Sequence, residues 1–188
     1  HLVPGDLADA DALRQLVDGT DGVLHCAAAV RGRSAADFES PNVDGTAALL
    51  RAIADCGTPR LLHLSSLAAR EPSLSWYSAS KRRAERLLVE GAPPTLAWCL
   101  LRPPAIYGPG DRELLGLWRL ARRGWLLVPG NRRSRLSFLH VDDLVAALLR
   151  LLDPALPLAG EHFDIADGRS GGYGWDELAA LTGRVWQR

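Results

Sequence analysis

The sequence brings a phenol and an ammonium group to neighbouring positions of a predicted helix. Tyr77 and Lys81 are four residues apart in a segment, 75–89, whose pattern favours a helix, so they share one helical face. A positive charge beside a phenol stabilises the phenolate, so we expect Lys81 to lower the pKa of Tyr77 from its usual value of about 10. Such a tyrosine exchanges a proton with a carbonyl or carbinol oxygen. A merely exposed helix face is the competing interpretation of this spacing.

A pair of hydroxyl groups precedes that helix, at the end of a predicted strand. Ser65 and Ser66 directly follow the apolar run 61–64. Ligands of parallel α/β sheets bind at the carboxyl ends of the strands, so Ser66 is placed to hold the reacting oxygen. A purely structural serine at a strand end is an equally good interpretation of Ser66 alone.

The elements that must position these residues alternate along the chain. Short apolar strands followed by amphipathic helices predict a parallel sheet covered on both faces. We expect strands at 23–26, 60–64 and 96–101, and helices at 9–17, 46–54 and 75–89. After Gly110 we expect a helix at 114–122, a loop at 129–131, a strand at 137–139, a helix at 141–152, a strand at 162–165 and a short helix at 175–181. The predicted fold is a doubly wound α/β sheet over 1–110 with a small C-terminal lobe over 111–188.

Composition narrows the class of protein. The 22 cationic and 22 anionic side chains give zero formal net charge, so charge favours neither nucleic acid nor an anionic membrane as a partner. No apolar run reaches the roughly 18 residues of a membrane helix. Cys26, Cys56 and Cys99 form no CxxC pair, so we expect buried, reduced thiols in a cytoplasmic protein and no metal site. The chain begins at His1 and has no methionine, which predicts that the natural N-terminus lies upstream.

Eight short motifs occur together in one order, and with them the chain resembles the extended short-chain dehydrogenases/reductases, the NAD-dependent epimerase/dehydratase group. The resemblance covers nearly the whole chain. The motifs are Gly5-Asp6-Leu7, His25-Cys26-Ala27-Ala28, Asn42-Val43-Asp44-Gly45-Thr46, Leu64-Ser65-Ser66, Tyr77 to Lys81, Arg102-Pro103, Tyr107-Gly108-Pro109-Gly110 and His140-Val141-Asp142-Asp143-Leu144.

The resemblance implies a role for each matching residue. Tyr77 is expected to be the general acid/base, Lys81 its pKa tuner and a ribose ligand, and Ser66 the hydrogen-bond donor to the substrate oxygen. The implied cofactor is NAD or NADP, with Asp6 at the adenine amino group. Asn42 matches a residue associated with proton relay, although a helix-start cap explains it equally well. The full expected set of cofactor-binding residues is Asp6, Leu7, Ala27, Ala28, Asn42, Lys81, Pro103, Ala105 and Ile106.

The chain departs from the family at its start. The family opens with a glycine-rich GxxGxxG turn that holds the pyrophosphate, whereas this chain begins at what resembles the third strand, so we expect it to bind a dinucleotide poorly. Gly168, Gly171 and Gly174 repeat the GxxGxxG spacing. We interpret them as an ordinary turn, because Asp167 would face the pyrophosphate and the following helix is expected to be short and to meet Gly183.

The resemblance implies an oxidoreductase that moves hydride between the cofactor and a ketone or secondary alcohol, with a small-molecule substrate and a homodimer as an open possibility. A nucleotide-sugar epimerase is the alternative within the fold. A non-catalytic binding or assembly relative, or an inactive fragment, is the alternative of another class. Retention of Ser66, Tyr77 and Lys81 together favours an enzyme.

Local residues favour the reductase over the epimerase. Nucleotide-sugar members carry Arg and Asp where this chain has Leu136 and Ser137, and Arg135 is one residue early, which on a strand turns a side chain to the other face. Dehydratases carry acidic residues where Leu67 and Ala68 follow Ser66. Tyr77 comes only 11 positions after Ser66, and Leu74 and Trp76 between them favour a lipid-like ketone. Arg132 and Arg133 remain able to meet a phosphate from the loop.

Overall fold

The computed structural model describes residues 1–128 and 131–186, with side chains as far as 183. Most of the loop predicted at 129–131 therefore lies outside the described residues. Two compact units make up the chain: unit one is His1–Arg102 with Leu148–Asp164, and unit two is Pro103–Ala147 with Ile165–Arg188. Each unit thus combines two chain segments, whereas the division expected from the sequence at residue 110 is continuous.

The secondary structure alternates as an α/β chain does. The strands are β1 (Val23–His25), β2 (Arg60–Leu64), β3 (Ala97–Arg102), β4 (Ala105–Tyr107), β5 (Arg135–Leu136), β6 (Phe138–His140), β7 (Glu161–Asp164) and β8 (Tyr173–Gly174). The helices are α1 (Ala10–Val17), α2 (Ala36–Glu39), α3 (Gly45–Cys56), α4 (Trp76–Gly91), α5 (Leu115–Ala121), α6 (Val141–Leu152) and α7 (Trp175–Trp186). A π-helical segment (Ser40–Asp44) and a 3-10 helix (Leu67–Arg70) complete the set. None of these described helices is long and apolar enough to span a membrane.

Unit one contains a four-stranded parallel sheet in the order β1-β2-β3-β7. The strands run in register, for example His25 opposite His63 and His63 opposite Leu100. The predicted parallel α/β fold is therefore confirmed. One expectation fails locally: the β1 segment was predicted to be buried, yet Leu24 is 38% exposed, because β1 is an edge strand of the described sheet.

The core of unit one comes from the apolar faces of helices α1, α3 and α4 on the sheet. Val17, Ile53, Leu88 and Leu100 are each at most 1% exposed and belong to one packed cluster. Burying a side chain of this size contributes roughly 1.5–3 kcal/mol. The helices that supply these residues are therefore held firmly on the sheet, which fixes where their polar residues meet the strand ends.

Helix starts in unit one follow capping chemistry in two cases and not in the third. The side chain of Asp9 accepts hydrogen bonds from two backbone amides at the start of α1, and Ser75 caps α4 in the same way. The helix predicted to begin at Thr46 instead continues a helical run that starts at Ala36 and passes through the π-helical segment. The predicted helix at 46–54 is thus confirmed as α3 (Gly45–Cys56), but its direct continuation from the two segments before it was not predicted.

Unit two contains a parallel pair, β4 with β6, and an antiparallel pair, β5 with β8. Phe138, Trp175 and Leu178 form its buried cluster. Helix α7 runs to Trp186, so the expectation that it would be short and stop at Gly183 was wrong. Gly168 and Gly171 have positive φ angles of 82° and 74°, as the turn interpretation of this glycine segment requires.

Candidate active site

The carboxyl end of β2 and the first two turns of α4 bring together the three residues expected to act on the substrate. The Ser66 hydroxyl accepts a hydrogen bond from the backbone amide of Ala68 at 3.2 Å and lies beside the phenol of Tyr77. Lys81 lies one helical turn after Tyr77 on α4. We call this edge of unit one, with Ser66, Tyr77 and Lys81, the catalytic edge.

Lys81 is the only lysine among the 22 lysine and arginine residues of the sequence. It is 4% exposed, and its Nζ donates a hydrogen bond to the carbonyl oxygen of Leu64 at 2.9 Å. Burial lowers the pKa of Lys81 to about 8, an effect that Cys26 and Glu85 oppose. A chain that otherwise uses arginine everywhere keeps a compact, titratable ammonium group at this one position.

The pKa of Tyr77 corrects the expectation from the helical spacing. Burial raises the pKa of Tyr77 above its ordinary value, and the hydrogen bond with Ser66 offsets only part of that rise. The predicted lowering by Lys81 was wrong for this structure, because desolvation of the phenol dominates. Tyr77 is therefore a neutral phenol at neutral pH, a group able to donate a proton.

A buried carboxylate on α4, which was not among the residues predicted for the site, helps to hold the catalytic edge in place. Glu85 is 1% exposed and lies one turn after Lys81. The guanidinium group of Arg102, at the end of β3, donates to both carboxylate oxygens of Glu85 at 2.7 Å, and Ser65 Oγ donates at 2.6 Å. Burial by itself would raise the pKa of Glu85, but the hydrogen bonds from Arg102, Ser65 and Arg82 hold it below its ordinary value.

This network joins the ends of two strands to the catalytic helix. Ser65 is adjacent to Ser66, and Glu85 continues the four-residue spacing of Tyr77 and Lys81 along α4. The 77–81–85 spacing and the Arg102-Pro103 motif were visible in the sequence. What the sequence did not show is that Arg102 and Glu85 meet, because 17 residues and a strand separate them.

The side-chain amide of Asn42 is hydrogen-bonded at both of its ends. The residue lies inside the π-helical segment and is 2% exposed, so the helix-start cap interpretation was wrong. Its Oδ1 accepts a hydrogen bond from the backbone amide of Ala29 at 2.7 Å. Its Nδ2 donates to the carbonyl oxygen of Ala29 at 3.0 Å and to Ser80 Oγ at 2.9 Å. Asn42 thereby ties the loop after β1 to α4.

Two buried histidines lie side by side in neighbouring strands of the sheet. The ring centroids of His25 and His63 are 5.2 Å apart, and His25 Nε2 is 3.1 Å from Thr46 Oγ1. Burial, and then the charge of Lys81, lowers the pKa of His25 to about 4. His63 is 1% exposed, and neither of its ring nitrogens has a hydrogen-bond partner in the part of the chain that the structure describes.

The three cysteines are free thiols, but only one of them is buried. Cys99 in β3 is inaccessible, and burial raises its pKa to about 11. Cys56 is partly exposed and Cys26 is exposed, so the prediction that the thiols are buried was wrong for both. Cys26 directly follows the last residue of β1 and begins a loop. Neighbouring elements no longer cover the chain at this point.

A cavity of unit one, of about 680 Å³, is lined by residues expected at the adenosine end of the cofactor. Asp6, Leu7, Ala27 and Ala28 line it together with Gly45. A side chain at Gly45 would come within 2.8 Å of Leu7, so the bare helix backbone lets this wall pack closely. Asp6 Oδ1 accepts a hydrogen bond from the amide of Ala8 at 2.8 Å, which orients the carboxylate.

These residues fit the adenosine part of a dinucleotide. Small alanine side chains and a glycine leave a smooth wall for a planar ring, and a carboxylate accepts hydrogen bonds from an amino group. The other expected cofactor residues, Pro103, Ala105 and Ile106, belong to unit two, where Ala105 and Ile106 lie in β4. Nothing in the described residues forms a cluster of three or more side chains suited to a metal ion.

The parallel sheet, the catalytic edge and this cavity define a dinucleotide-dependent short-chain dehydrogenase/reductase fold. Residues 1–166 match the profile of the NAD dependent epimerase/dehydratase family. The chain is a member of that family, as its ordered motifs predicted.

Several known proteins are similar to the chain. It is 40% identical over 179 residues to "Ceramide reductase" of Caulobacter vibrioides, covering 95% of this chain and 54% of that protein. It is 28% identical over 189 residues to "2-alkyl-3-oxoalkanoate reductase" of Stenotrophomonas maltophilia, covering 88% of this chain and 57% of that protein. The solved structure of MoeE5 in complex with UDP-glucose and NAD has a TM-score of 0.81 at 26% identity, over 97% of this chain and 68% of that one. The chain thus spans about half the length of the two curated reductases.

Proposed function

We propose that the protein containing this chain reduces a ketone on a lipid-like molecule, with a nicotinamide dinucleotide as the hydride carrier. One observation carries the proposal: Ser66 at the end of β2 and Tyr77 on α4 lie side by side, one helical turn from the buried ammonium group of Lys81, which the carbonyl oxygen of Leu64 holds at 2.9 Å. Two hydroxyl donors and a nearby cation are the groups that stabilise charge developing on a carbonyl oxygen.

The residues of the catalytic edge divide the chemistry between them. Ser66 and Tyr77 donate hydrogen bonds to the substrate carbonyl oxygen. A bound nicotinamide supplies the hydride to the carbonyl carbon. Tyr77 gives its phenolic proton to the oxygen, so that one hydride and one proton turn the ketone into a secondary alcohol. Because burial keeps Tyr77 protonated, the side chain begins as an acid, which suits the direction of reduction.

Lys81 supports the proton transfer in two ways. With a pKa of about 8 it is an ammonium group at neutral pH, and it stabilises the phenolate that Tyr77 becomes after losing its proton. Only one of its three N–H groups is taken by the carbonyl of Leu64, so two remain for the ribose hydroxyl groups.

The residues that line the cavity of unit one support the assignment of the cofactor-binding roles. Asp6 would accept a hydrogen bond from the adenine amino group, with Leu7, Ala27 and Ala28 along the ring and ribose. Asn42 would act by holding the alanine loop in place, since both ends of its amide are already hydrogen-bonded. Pro103, Ala105 and Ile106 keep their assignment beside the nicotinamide, which rests on the family motif. Both NAD and NADP satisfy these contacts.

The arginines of unit two favour a reductase over a nucleotide-sugar epimerase. Arg135 donates hydrogen bonds to the carbonyl oxygens of Gly171 and Gly172, so its guanidinium group is engaged in holding a turn. Arg132 pairs with Asp176 at 2.6 Å. Two of the three cations that could grip a diphosphate are thus occupied, and the names of the two relatives above describe reductases of lipid-like compounds.

The epimerase remains the second candidate, supported by the similarity to MoeE5 in complex with UDP-glucose. A non-catalytic relative is disfavoured because Ser66, Tyr77 and Lys81 are all present and the structure brings them together at one edge of unit one. We further infer a cytoplasmic location, because the three cysteines are free thiols, as a reducing compartment keeps them. Homodimerisation stays a prediction, which light scattering of the whole protein checks.

A substrate panel tests the proposal. The whole protein is assayed with NADH and with NADPH against long-chain β-keto amides, long-chain β-keto esters, UDP-sugars and dTDP-sugars. We expect cofactor oxidation with the keto lipids and no epimerised sugar in either nucleotide series. Epimerisation of a nucleotide sugar without reduction of any ketone would reverse the ranking.

A further inference from the structure

Unit two contains an apolar cavity that nothing in the catalytic chemistry uses. Its volume is about 570 Å³, within the range of roughly 300–1,000 Å³ of small-molecule sites. Helices α5 and α7 and the strands β4, β6 and β8 all contribute to its lining. The lining residues are far apart in the sequence, from Tyr107 to Thr182, so no local sequence motif predicts the site.

Aromatic rings form the floor of this cavity. Phe138 is 4% exposed, and its ring centroid lies 6.2 Å from Tyr107, 5.9 Å from Trp118 and 5.7 Å from Tyr173. Leu115 lies at the opening and is 38% exposed. Such a lining gains free energy by covering apolar surface and offers little to a sugar ring or a phosphate.

Among the buried side-chain polar atoms of the described lining, one has no hydrogen-bond partner. Asp167 accepts the hydrogen bond of the Tyr173 hydroxyl at 2.5 Å, and Thr182 donates to the carbonyl of Leu178 at 2.8 Å. Asp111 Oδ1 accepts hydrogen bonds from the backbone amides of Glu113 and Leu114. Asp111 Oδ2 is buried and has no partner among the described residues.

We propose that this cavity binds the alkyl chain of an uncharged lipid and that Asp111 selects lipids carrying a hydroxyl or amide N–H donor over anionic ones. The inference deepens the proposed function, on which it rests, by naming the class of lipid. An acceptor without a partner in an apolar site gains from a donor on the ligand. A carboxylate or phosphate placed there would face a second negative charge in apolar surroundings. The site thus separates a neutral lipid amide or alcohol from a fatty-acid anion.

Calorimetric titration of the whole protein with decanamide and with decanoate at pH 8 tests the inference. The two probes share a chain length and differ in charge. We expect decanamide to bind at least about tenfold more tightly than decanoate. In Asp111→Asn the ratio should shrink to within about threefold, because the side-chain oxygen that caps the backbone is retained while the charge is lost.

Two further variants separate charge from shape. Asp143→Asn removes an exposed carboxylate of α6 that does not line the cavity, and it should keep the parental ratio. Leu115→Gln at the opening should weaken both probes and leave their ratio unchanged. Equal binding of the two probes by the parent, or a preserved ratio in Asp111→Asn, would overturn the proposal.

The titration needs neither cofactor nor turnover, so its outcome is independent of the proposed reaction. A protein that reduces keto lipids but binds both probes equally contradicts only the selectivity of the cavity. A protein that prefers decanamide but reduces no ketone contradicts only the proposed reaction.

Discussion

The catalytic edge of unit one and the aromatic cavity of unit two are held together by opposite kinds of interaction. At the catalytic edge, buried charged and polar groups form hydrogen bonds with one another. Glu85 accepts hydrogen bonds from Arg102 and Ser65, and Lys81 donates one to the carbonyl oxygen of Leu64. In the cavity, aromatic rings pack around Phe138, and Asp111 Oδ2 has no partner among the residues that the structure describes.

The contrast teaches where each region keeps its selectivity. The pairing of Glu85 with Arg102 and Ser65 holds these side chains in place, so the catalytic edge is suited to fixing the geometry of a reaction. An apolar site with one unused acceptor distinguishes ligands by their own polar groups, so the cavity decides what is bound. Substitutions should therefore act through charge in unit one and through shape and backbone conformation in unit two.

The largest expected effect on stability comes from breaking the carboxylate network. Glu85→Ala leaves the guanidinium group of Arg102 without its bidentate partner, and removing one member of a buried pair typically costs about 3–5 kcal/mol. Urea denaturation measures the loss. Glu90→Ala on the same helix is the matched control, because its pair with Arg86 is exposed and should contribute little. Equal losses of stability in the two variants would contradict the claim that the buried pair of Glu85 contributes more than an exposed pair.

Glu85→Gln separates positioning from mere stability. The amide keeps a hydrogen-bond acceptor for Ser65 but loses the charge that faces Arg102 and that raises the pKa of Lys81. We expect the alkaline limb of the rate profile to move to lower pH in the folded variant. An unchanged limb would mean that Glu85 has a structural role only.

A buried ammonium group should make the parent protein less stable than a variant without it. The pKa of Lys81 is about 8 in the folded chain, against an ordinary value of 10.5, so burial penalises its charged form in the folded state. Lys81→Met should raise the free energy of unfolding at pH 7 by about 1–3 kcal/mol while activity is lost.

The pH dependence of that gain follows from the direction of the shift. Below pH 8 both folded and unfolded parent carry the proton, so the penalty is complete; it fades as the pH rises from 8 to 10.5 and is absent when both states are neutral. Unfolding of parent and variant at pH 7 and at pH 10 measures the difference. A gain that is the same at both pH values would contradict the lowered pKa.

The smallest effect distinguishes backbone conformation from crowding in unit two. Gly168→Ala places a side chain at a φ of 82° with nothing within 4 Å, so it should cost about 1–2 kcal/mol. Gly172→Ala has a φ of 64° and also brings Cβ to 2.5 Å from the carbonyl oxygen of Leu136 in β5. Thermal unfolding should therefore show a larger loss of stability for Gly172→Ala than for Gly168→Ala. Equal losses of stability would mean that the turn shifts easily enough to relieve the contact with Leu136.

The same contrast explains how much the sequence could predict. Tyr77, Lys81 and Ser66 were found because helical spacing and a strand end are local patterns. Helix α4 and strand β2 were predicted almost to the residue, since a capping serine and an apolar run mark their limits. The short strands β4, β5 and β8 were missed, because two or three residues show no period.

Interactions between distant residues could not be predicted in this way. The Glu85–Arg102 pair, the links of Asn42 to Ala29 and Ser80, and the aromatic cavity all depend on tertiary packing. The direction of the pKa shift of Tyr77 was mispredicted for the same reason. Helical spacing shows which residues share a face, but it does not show how deeply that face is buried.

The central claim is that the hydroxyl group of Tyr77 moves the proton and does little else. Tyr77→Phe removes that oxygen and keeps the ring, which packs against Phe38 with a centroid distance of 6.2 Å. Turnover of a keto lipid and the affinity for NADPH or NADH are measured on the same preparation of the whole protein. We expect kcat to fall by roughly 10²–10⁴-fold while the cofactor Kd stays within about threefold of the parent. A variant that keeps the parental kcat would contradict the account.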